Sequence, residues 1–169
     1  VIQQGEYNIA TSNKDNWFIT PAGTGYFIPR GNDPVVLKYG EQTTPSQTGA
    51  DYANPTGQAM VAKAYIDHGV KPSGASDIFV VVPGATTDRM SDLSQKMQNN
   101  GGELFRVEAQ SAALHALTYI PENITAYAFY DAVDNLDFGI VKATTFRHLL
   151  MVRQDKSKEC CEFAICNPD

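Results

Sequence analysis

The stretch that decides the fold is Tyr65-Ile66-Asp67-His68-Gly69-Val70-Lys71-Pro72, followed shortly by Asp77-Ile78-Phe79-Val80-Val81-Val82-Pro83. Polar and apolar residues alternate over residues 63–66, as they do in a strand that has one buried face. Residues 78–82 form an unbroken run of β-branched and aromatic side chains that ends at a Pro-Gly pair, which predicts a buried strand. The stretch therefore predicts a strand, a turn and a second strand.

Outward from this pair, the chain predicts more short strands separated by turn residues. The predicted strands are residues 1–10, 17–20, 26–29, 35–39, 60–65, 104–108, 112–120, 125–130, 138–142, 148–153 and 160–166. Residues 40–58 are polar and predict an exposed loop, and residues 154–158 predict a hairpin loop. Short strands at intervals of about 8 to 12 residues are typical of an antiparallel β-sandwich. The predicted fold class is therefore mostly β.

One amphipathic helix is predicted within this β fold. Thr86 or Thr87 can cap it, Asp88 suits its positive end, and the glycine pair at 101–102 can end it. The apolar residues at helical spacing are Met90, Leu93 and Met97. A single apolar stripe predicts a helix that packs on a sheet with its methionines in the core.

Length and charge limit the classes of function. The 169 residues suffice for one or two domains, and the net charge of −6 and pI near 5.0 argue against a nucleic-acid partner. The chain has no apolar run of about 18 residues, so no membrane-spanning helix is predicted. Because residues 1–6 resemble a strand rather than a signal peptide, we expect residues 1–169 to be one β-sandwich segment of a larger protein, truncated at both ends.

The three cysteines are Cys160, Cys161 and Cys166. If they share one straight strand, its ends lie about 20 Å apart, whereas a disulfide needs Cα atoms within about 7 Å. We therefore expect free thiols that pack as small apolar residues. Their spacing does not match a zinc motif and the histidines are scattered, so the sequence predicts neither a metal site nor a cofactor.

Two short motifs allow a chemical and a structural interpretation. Asp67 and His68 are an acid–base pair in composition, but neighbours on a strand point to opposite faces. A structural role for His68, bonding to the turn backbone, is therefore favoured over catalysis. Asn123-Ile124-Thr125 is a glycosylation sequon that is more simply interpreted as part of a turn.

Aromatic residues and one arginine are candidates for sugar binding. Trp17 and Tyr26 could stack on sugar faces, as could Tyr39 and Tyr52, and Arg30 could pair with a carboxylate or sulfate. Packing side chains and a solvated charge are the alternatives. The sequence has no nucleophile elbow, zinc-protease motif or phosphate-binding loop, so the residues alone predict no catalytic site.

Several blocks resemble the polysaccharide lyases of family 8, the chondroitin, hyaluronan and xanthan lyases, and most closely the chondroitin ABC type. The central block, residues 64–72 and 75–83, is similar to that family's run of Ile-Asp-His-Gly, a Pro and a strand ending in Pro. The other blocks, in the same order, are residues 4–6 with 16–19 and 23–28, residues 85–90 with 95–97, residues 123–130, and residues 150–153 through 166–169. The resemblance gives Asp67, His68, Gly69 and Pro72 a structural role in a β region.

This resemblance implies a secreted or periplasmic enzyme that cleaves uronate-containing polysaccharides by β-elimination. It implies that the catalytic residues lie outside this sequence, in a helical toroid domain that this segment would support and in an earlier part of the β region. No catalytic residue is assigned here, and the partners implied are the polysaccharide substrate and the toroid domain of the same chain. Two alternatives stay open: a stand-alone carbohydrate-binding β-sandwich and an adhesin-like structural domain.

Overall fold

The computed structural model describes residues 3–45, 55–98, 102, 104–155, 157 and 159–167. The chain divides into two compact units, one made of Val1–Phe18 and Tyr26–Val82 and the other of Ile19–Gly25 and Pro83–Asp169. Among the described residues the fold is mostly β, with three antiparallel sheets and a single α-helix. This arrangement confirms the predicted fold class.

The first unit holds two three-stranded sheets. Its strands are β1 (Gly5–Ile9), β2 (Asn16–Ile19), β3 (Gly25–Ile28), β4 (Val35–Pro45), β5 (Pro55–Ile66) and β6 (Val80–Val82), of which β2 and β3 run into the other unit by one residue each. The strand orders are β1-β4-β5 and β2-β3-β6. Side chains that are buried here include Phe27, Ile28, Val35, Val36 and Leu37.

The loop predicted over residues 40–58 is wrong at both of its ends. Strands β4 and β5 pair from Val35↔Ile66 to Thr44↔Gly57, so residues 40–45 and 55–58 belong to a long hairpin. Residues 46–54 lie outside the described part of the chain. Glu41, Thr43, Gly57 and Gln58 are exposed in this hairpin, and an exposed strand position needs no apolar side chain, so polar composition here does not distinguish a strand from a loop.

The strand predicted over residues 78–82 is shorter and more exposed than expected. It spans only Val80–Val82, and Phe79 and Val81 are exposed. A strand of apolar residues becomes buried only when another layer of the fold covers it. The composition of the strand itself contains no information about that layer.

The second unit is built on a five-stranded sheet. Its elements are the helix α1 (Thr87–Lys96), strands β7 (Phe105–Gln110), β8 (Leu114–Tyr119), β9 (Ile124–Phe129), β10 (His148–Asp155) and β11 (Cys160–Cys166), and a 3₁₀ turn over Ile120–Glu122. The strand order is β11-β10-β9-β8-β7. Buried side chains on one face of this sheet form the core: Leu114, Ala116, Tyr127, Phe129 and Val152.

Residues 131–147 pack against that core without forming the strand predicted at 138–142. Phe138 and Val141 contact the core from irregular backbone, and Phe138 stacks on Tyr127 with ring centroids 5.9 Å apart. Gly139 has φ +60°, and a β-carbon there would lie 2.3 Å from the Tyr127 hydroxyl oxygen. The segment therefore packs Phe138 and Val141 against the core, with the left-handed Gly139 in close contact with Tyr127, which strand periodicity does not predict.

The predicted helix is confirmed. The Thr86 hydroxyl accepts a hydrogen bond from the Arg89 backbone N–H at 3.2 Å, which caps the first turn. Met90 and Met97 are buried, as the apolar stripe predicts. Met90 packs against Gly25 at the start of β3, where an added β-carbon would lie 2.5 Å from the methionine sulfur.

The cysteines are free thiols on one strand, as predicted, but they do not pack as core residues. Cys160, Cys161 and Cys166 are all exposed. They lie on β11, an edge strand of its sheet whose residues are all exposed. Among the described residues, no helix is long and apolar enough to span a bilayer.

Candidate functional site

One candidate site in the first unit is a cluster of Asp33, His68 and Asp77, hereafter the histidine–carboxylate cluster. The chain leaves β5 at Ile66, and the turn that follows presents His68 to two carboxylates that are distant in sequence. The His68 Nδ1 lies 2.8 Å from Asp33 Oδ2 and 3.1 Å from Asp77 Oδ2. A proton on Nδ1 is therefore hydrogen-bonded to Asp33 Oδ2, and Asp77 Oδ2 lies within ion-pair distance of the same nitrogen.

Hydrogen bonds between side chains and backbone groups fix the loops that carry these carboxylates. The Asp33 N–H donates to Asp77 Oδ1 at 2.8 Å. The Asn32 Nδ2 donates to the Ile78 carbonyl and the Ile78 N–H donates to Asn32 Oδ1, each at 2.8 Å. Since all of these bonds link the segment before β4 to the segment before β6, the cluster fastens two loops and the end of β5 together.

The electrostatics favour the charged imidazolium. The hydrogen bond to Asp33 raises the pKa of His68 above its usual value, burial opposes this, and the charges of Asp77, Asp33 and Asp67 raise the pKa further. Among the described residues, this cluster is the group whose ligand-type atoms all lie within 4.8 Å of one another. A metal cation at this position would have to replace the proton on Nδ1. The 2.8 Å distance from Nδ1 to Asp33 Oδ2 already fits a hydrogen bond through that proton.

The sequence predicts that His68 bonds to the turn backbone, whereas Asp67 makes that contact. The Asp67 carboxylate accepts the Gly69 N–H at 2.9 Å, and Gly69 has φ +74°. The partners of His68 lie 35 residues before it and nine residues after it in the sequence. Local spacing carries no signal for such a cluster, because only the packing of strand ends brings the three side chains together.

Three of the five candidates for sugar binding, Trp17, Tyr26 and Arg30, lie on or just after strands β2 and β3 in the first unit. Trp17 is on β2 and Tyr26 on the adjacent β3, both half-buried, and Tyr26 stacks on Phe18 at 5.2 Å. The Arg30 guanidinium meets the Asp15 carboxylate at 3.3 Å through both Nε and Nη2. One face of the Tyr26 ring and two donors of Arg30 are thus already engaged within the protein, and sugar binding at these residues stays a prediction. Tyr52, another aromatic candidate, falls outside the described residues.

The second unit carries a groove that the sequence analysis did not predict. The groove encloses about 590 Å³ at the end of the five-stranded sheet where β8 turns into β9. We call it the arginine groove, and its lining residues are Arg106, Thr118, Ile120, Pro121, Glu122, Asn123, Arg153, Gln154 and Asp155. Its residues come from three separate stretches of sequence, so no single motif predicts it.

Arg106 is held in place by a buried acid. Its Nε lies 2.8 Å and its Nη2 2.7 Å from Glu108 Oε1, and the Thr118 hydroxyl donates to the same oxygen. The hydrogen bond from Arg106 lowers the pKa of Glu108, burial opposes this, and Thr118 lowers it further. Thr118 in turn contacts the Thr125 hydroxyl at 2.9 Å. These contacts fix the orientation of an arginine that is itself largely exposed.

On the other side of the groove, the turn that contains the sequon is fixed by hydrogen bonds. Asn123 adopts the left-handed conformation with φ +52°. Its side-chain amide donates to the Gln154 carbonyl at 3.0 Å, and the Gln154 N–H donates to the Asn123 carbonyl at 3.1 Å. Arg153 pairs loosely with Glu122 at 3.4 Å and with Glu162 at 3.9 Å. The structural interpretation of the sequon as a turn therefore agrees with these contacts.

The comparisons with known proteins point to one group of enzymes. The chain is 30% identical over 134 residues to the chondroitin sulfate ABC endolyase of Proteus vulgaris, an alignment that covers 78% of this chain and 12% of that protein. No family model matches the chain.

Solved structures of chondroitin AC lyases have a fold similar to that of this chain. A chondroitinase AC lyase studied with oligosaccharides superimposes with a TM-score of 0.65 at 15% identity, covering 99% of this chain and 27% of that one. The chondroitin AC lyase of Streptomyces coelicolor A3 superimposes with a TM-score of 0.54 at 16% identity, covering 96% of this chain and 21% of that one. The chain thus spans only a small part of each relative, and it is related by sequence and by fold to the polysaccharide lyases.

Proposed function

We propose that this chain is the β-sheet segment of a family 8 lyase that cleaves chondroitin-type glycosaminoglycans, and that it supports the catalytic domain. The observation that carries the proposal is the 30% identity over 134 residues to a chondroitin sulfate ABC endolyase. An alignment of that length at that identity supports common descent, and the order of the sequence blocks agrees with it.

The extent of the structural match favours the proposal that this chain supports a catalytic domain. Nearly the whole chain superimposes on about a quarter of a chondroitinase AC lyase. A segment that fills a quarter of a larger lyase fold is expected to pack against the remainder. In this proposal, the remainder includes a helical toroid that carries the catalytic residues.

In the intact enzyme the proposed reaction is β-elimination. A base removes the proton at C5 of a uronate, and the bond from C4 to the glycosidic oxygen breaks. The electron pair forms a C4–C5 double bond and the leaving oxygen takes a proton, so one product carries an unsaturated uronate at its new end. Because the substrate is an extracellular polymer, we propose a secreted or periplasmic location.

The experiment is to compare the full reading frame with the 169-residue chain on chondroitin sulfate. The longer polypeptide should generate unsaturated uronates, seen as new ultraviolet absorbance, and the 169-residue chain should generate none. Activity of the 169-residue chain would contradict the supporting role. A full reading frame that leaves chondroitin sulfate, hyaluronan and xanthan intact would contradict the lyase proposal.

A further inference from the structure

We propose that strand β11 pairs edge to edge with β11 of a second copy of this chain, and that Cys160 and Cys166 join the two copies through disulfides. The strand spans Cys160–Cys166, all of its residues are exposed, and its three cysteines are free thiols. The proposal concerns association of the chain, and it does not depend on the lyase activity proposed above.

The outer edge of β11 has no strand beside it in the described part of the chain. β11 is the end strand of the order β11-β10-β9-β8-β7. Phe163 and Ile165 are 61% and 64% exposed, although their partners on β10, Val152 and Leu150, belong to or pack against the core. A free edge that carries large apolar side chains is a template for pairing with another strand.

The hydrogen bonds of β10 show which backbone groups of β11 face that edge. The Gln154 N–H donates to the Asn123 carbonyl, so the backbone of Gln154 faces away from β11. Because backbone groups alternate in direction along a strand, those of Arg153 face β11 and those of its partner Glu162 face β10. The same alternation turns the N–H and C=O groups of three residues toward the free edge: Cys161, Phe163 and Ile165.

The antiparallel register that overlaps all seven residues of β11 with a second copy is centred on Phe163. In this register Phe163 lies opposite Phe163 of the second copy, and Cys161 lies opposite Ile165, as hydrogen-bonded pairs. Cys160 then lies opposite Cys166 at both ends, as a pair without hydrogen bonds. The Cα atoms of such a pair are about 4.5 Å apart, which falls within the range of about 4.4 to 6.8 Å for disulfides.

The same two cysteines cannot join within one copy. At about 3.3 Å per residue, the two ends of β11 lie about 20 Å apart, which is far beyond the reach of a disulfide. Cys161 points to the opposite face of the sheet from Cys160 and lies opposite Ile165 in the paired strands, so it stays a thiol. Cross-linking through Cys160 and Cys166 therefore requires two copies.

The oxidation is balanced by a low-molecular-weight disulfide such as oxidised glutathione. The Cys160 thiolate attacks this disulfide and releases one glutathione thiol, and Cys166 of the second copy attacks the mixed disulfide and releases the other. Each new S–S bond thus takes two electrons and two protons from the cysteines, and both end on the glutathione thiols. Edge pairing of one short strand is weak by itself, so the dimer is expected to depend on oxidation.

The test incubates the 169-residue chain and the full reading frame with oxidised glutathione and separates the products on non-reducing gels. The wild type should give a species of doubled mass that dithiothreitol removes, in which mass spectrometry finds Cys160 joined to Cys166. Cys160→Ser alone and Cys166→Ser alone should each abolish this species, because every disulfide uses one residue of each kind. Cys161→Ser is the matched control and should cross-link as the wild type does.

Further variants test the geometry of the pairing. A mixture of the Cys160→Ser and Cys166→Ser chains should regain the cross-link, because an intact Cys160 then lies opposite an intact Cys166. Phe163→Pro removes an N–H from the free edge and no hydrogen bond to β10, so it should prevent cross-linking, whereas Phe163→Val should permit it. Leu149→Lys with Met151→Lys changes the face of the sheet and leaves the edge intact, so this variant should cross-link normally.

Several outcomes would overturn the dimer. These are a wild type that is not cross-linked, a loss of the cross-link in Cys161→Ser, and its persistence in either of the other serine variants. A loss in the Leu149→Lys, Met151→Lys variant would show that the cysteines meet through the sheet face. Cross-linking of the 169-residue chain alone would overturn the dimer for the longer protein, because another segment then covers β11. Melting curves separate a lost dimer from a lost fold, and cleavage of chondroitin sulfate is scored independently of all these results.

Discussion

At the residue scale, His68 is where the structure links protonation to stability. Its partners are Asp33 and Asp77, and Asp67 lies beside it in the turn. These acids raise the pKa of His68 in the folded chain. The stabilisation is therefore fully present below the unfolded pKa of about 6.5, and it disappears as the pH rises through the higher folded value.

This linkage predicts a specific effect of His68→Gln. The variant should melt below the wild type at pH 5.5, and the gap should narrow as the pH rises toward 8.5, because the wild type loses its imidazolium. Differential scanning calorimetry across that range measures the gap. His115→Gln, on β8 beside Tyr130, is the matched histidine control. A gap that is constant with pH would mean that His68 acts through packing alone.

The residues that could be predicted are those whose roles follow from local spacing. Met90 and Met97 are buried because helical periodicity places them on one face. Asp33 could not be assigned, since its partners His68 and Asp77 come from other segments and sequence spacing does not encode those contacts. Arg30 was chosen as an isolated cation, yet the fold pairs it with Asp15.

At the element scale, the contact between α1 and the start of β3 is testable. An alanine at Gly25 would place its β-carbon 2.5 Å from Met90 Sδ and 2.7 Å from the Ala85 β-carbon. Gly25→Ala should therefore cost about 1 to 3 kcal/mol by overpacking. Gly40→Ala is the control, because Gly40 lies in β4 with no atom near its missing β-carbon, and it should be neutral or slightly stabilising.

A double-mutant cycle isolates this contact. Met90→Ala alone should cost about 2 to 5 kcal/mol, since Met90 is fully buried. Combined with Gly25→Ala, the total loss measured by urea unfolding should be smaller than the sum, because shortening Met90 makes room for the new methyl group. Strict additivity would show that the two side chains do not share the space assigned to them.

Elements were predicted well where periodicity meets burial and poorly elsewhere. Strand β9, whose side chains alternate in burial, differs from its predicted bounds by one residue at each end, and α1 begins at its predicted cap. The β4–β5 hairpin was missed because exposed strands carry a polar sequence similar to that of a loop. The apolar sequence of residues 138–142 predicts a strand wrongly, because apolar side chains pack against a core in the same pattern with or without hydrogen-bonded strand pairing.

At the scale of the whole molecule, the five-stranded sheet leaves one apolar face exposed. Pairing places Leu117, Ala126, Met151 and Ala164 in one row across four strands, and Leu149 lies in the next row. Strand alternation puts these side chains opposite the buried Val152. Leu149 and Met151 are each 48% exposed. A flat apolar face of this kind favours association with another surface.

Because the proposed function places this chain within a longer polypeptide, replacing that face should have opposite effects in the two contexts. Leu149→Lys with Met151→Lys should raise the monomer fraction of the 169-residue chain in sedimentation velocity, since it replaces the exposed apolar surface through which copies would associate. In the full reading frame the same change should lower the melting temperature, because the lysines would be buried against the rest of the enzyme. Val70→Lys, which alters a residue that is 94% exposed, should change neither quantity. An unchanged melting temperature in the full reading frame would show that the rest of the polypeptide does not cover this face, and the supporting role would then need a different contact surface.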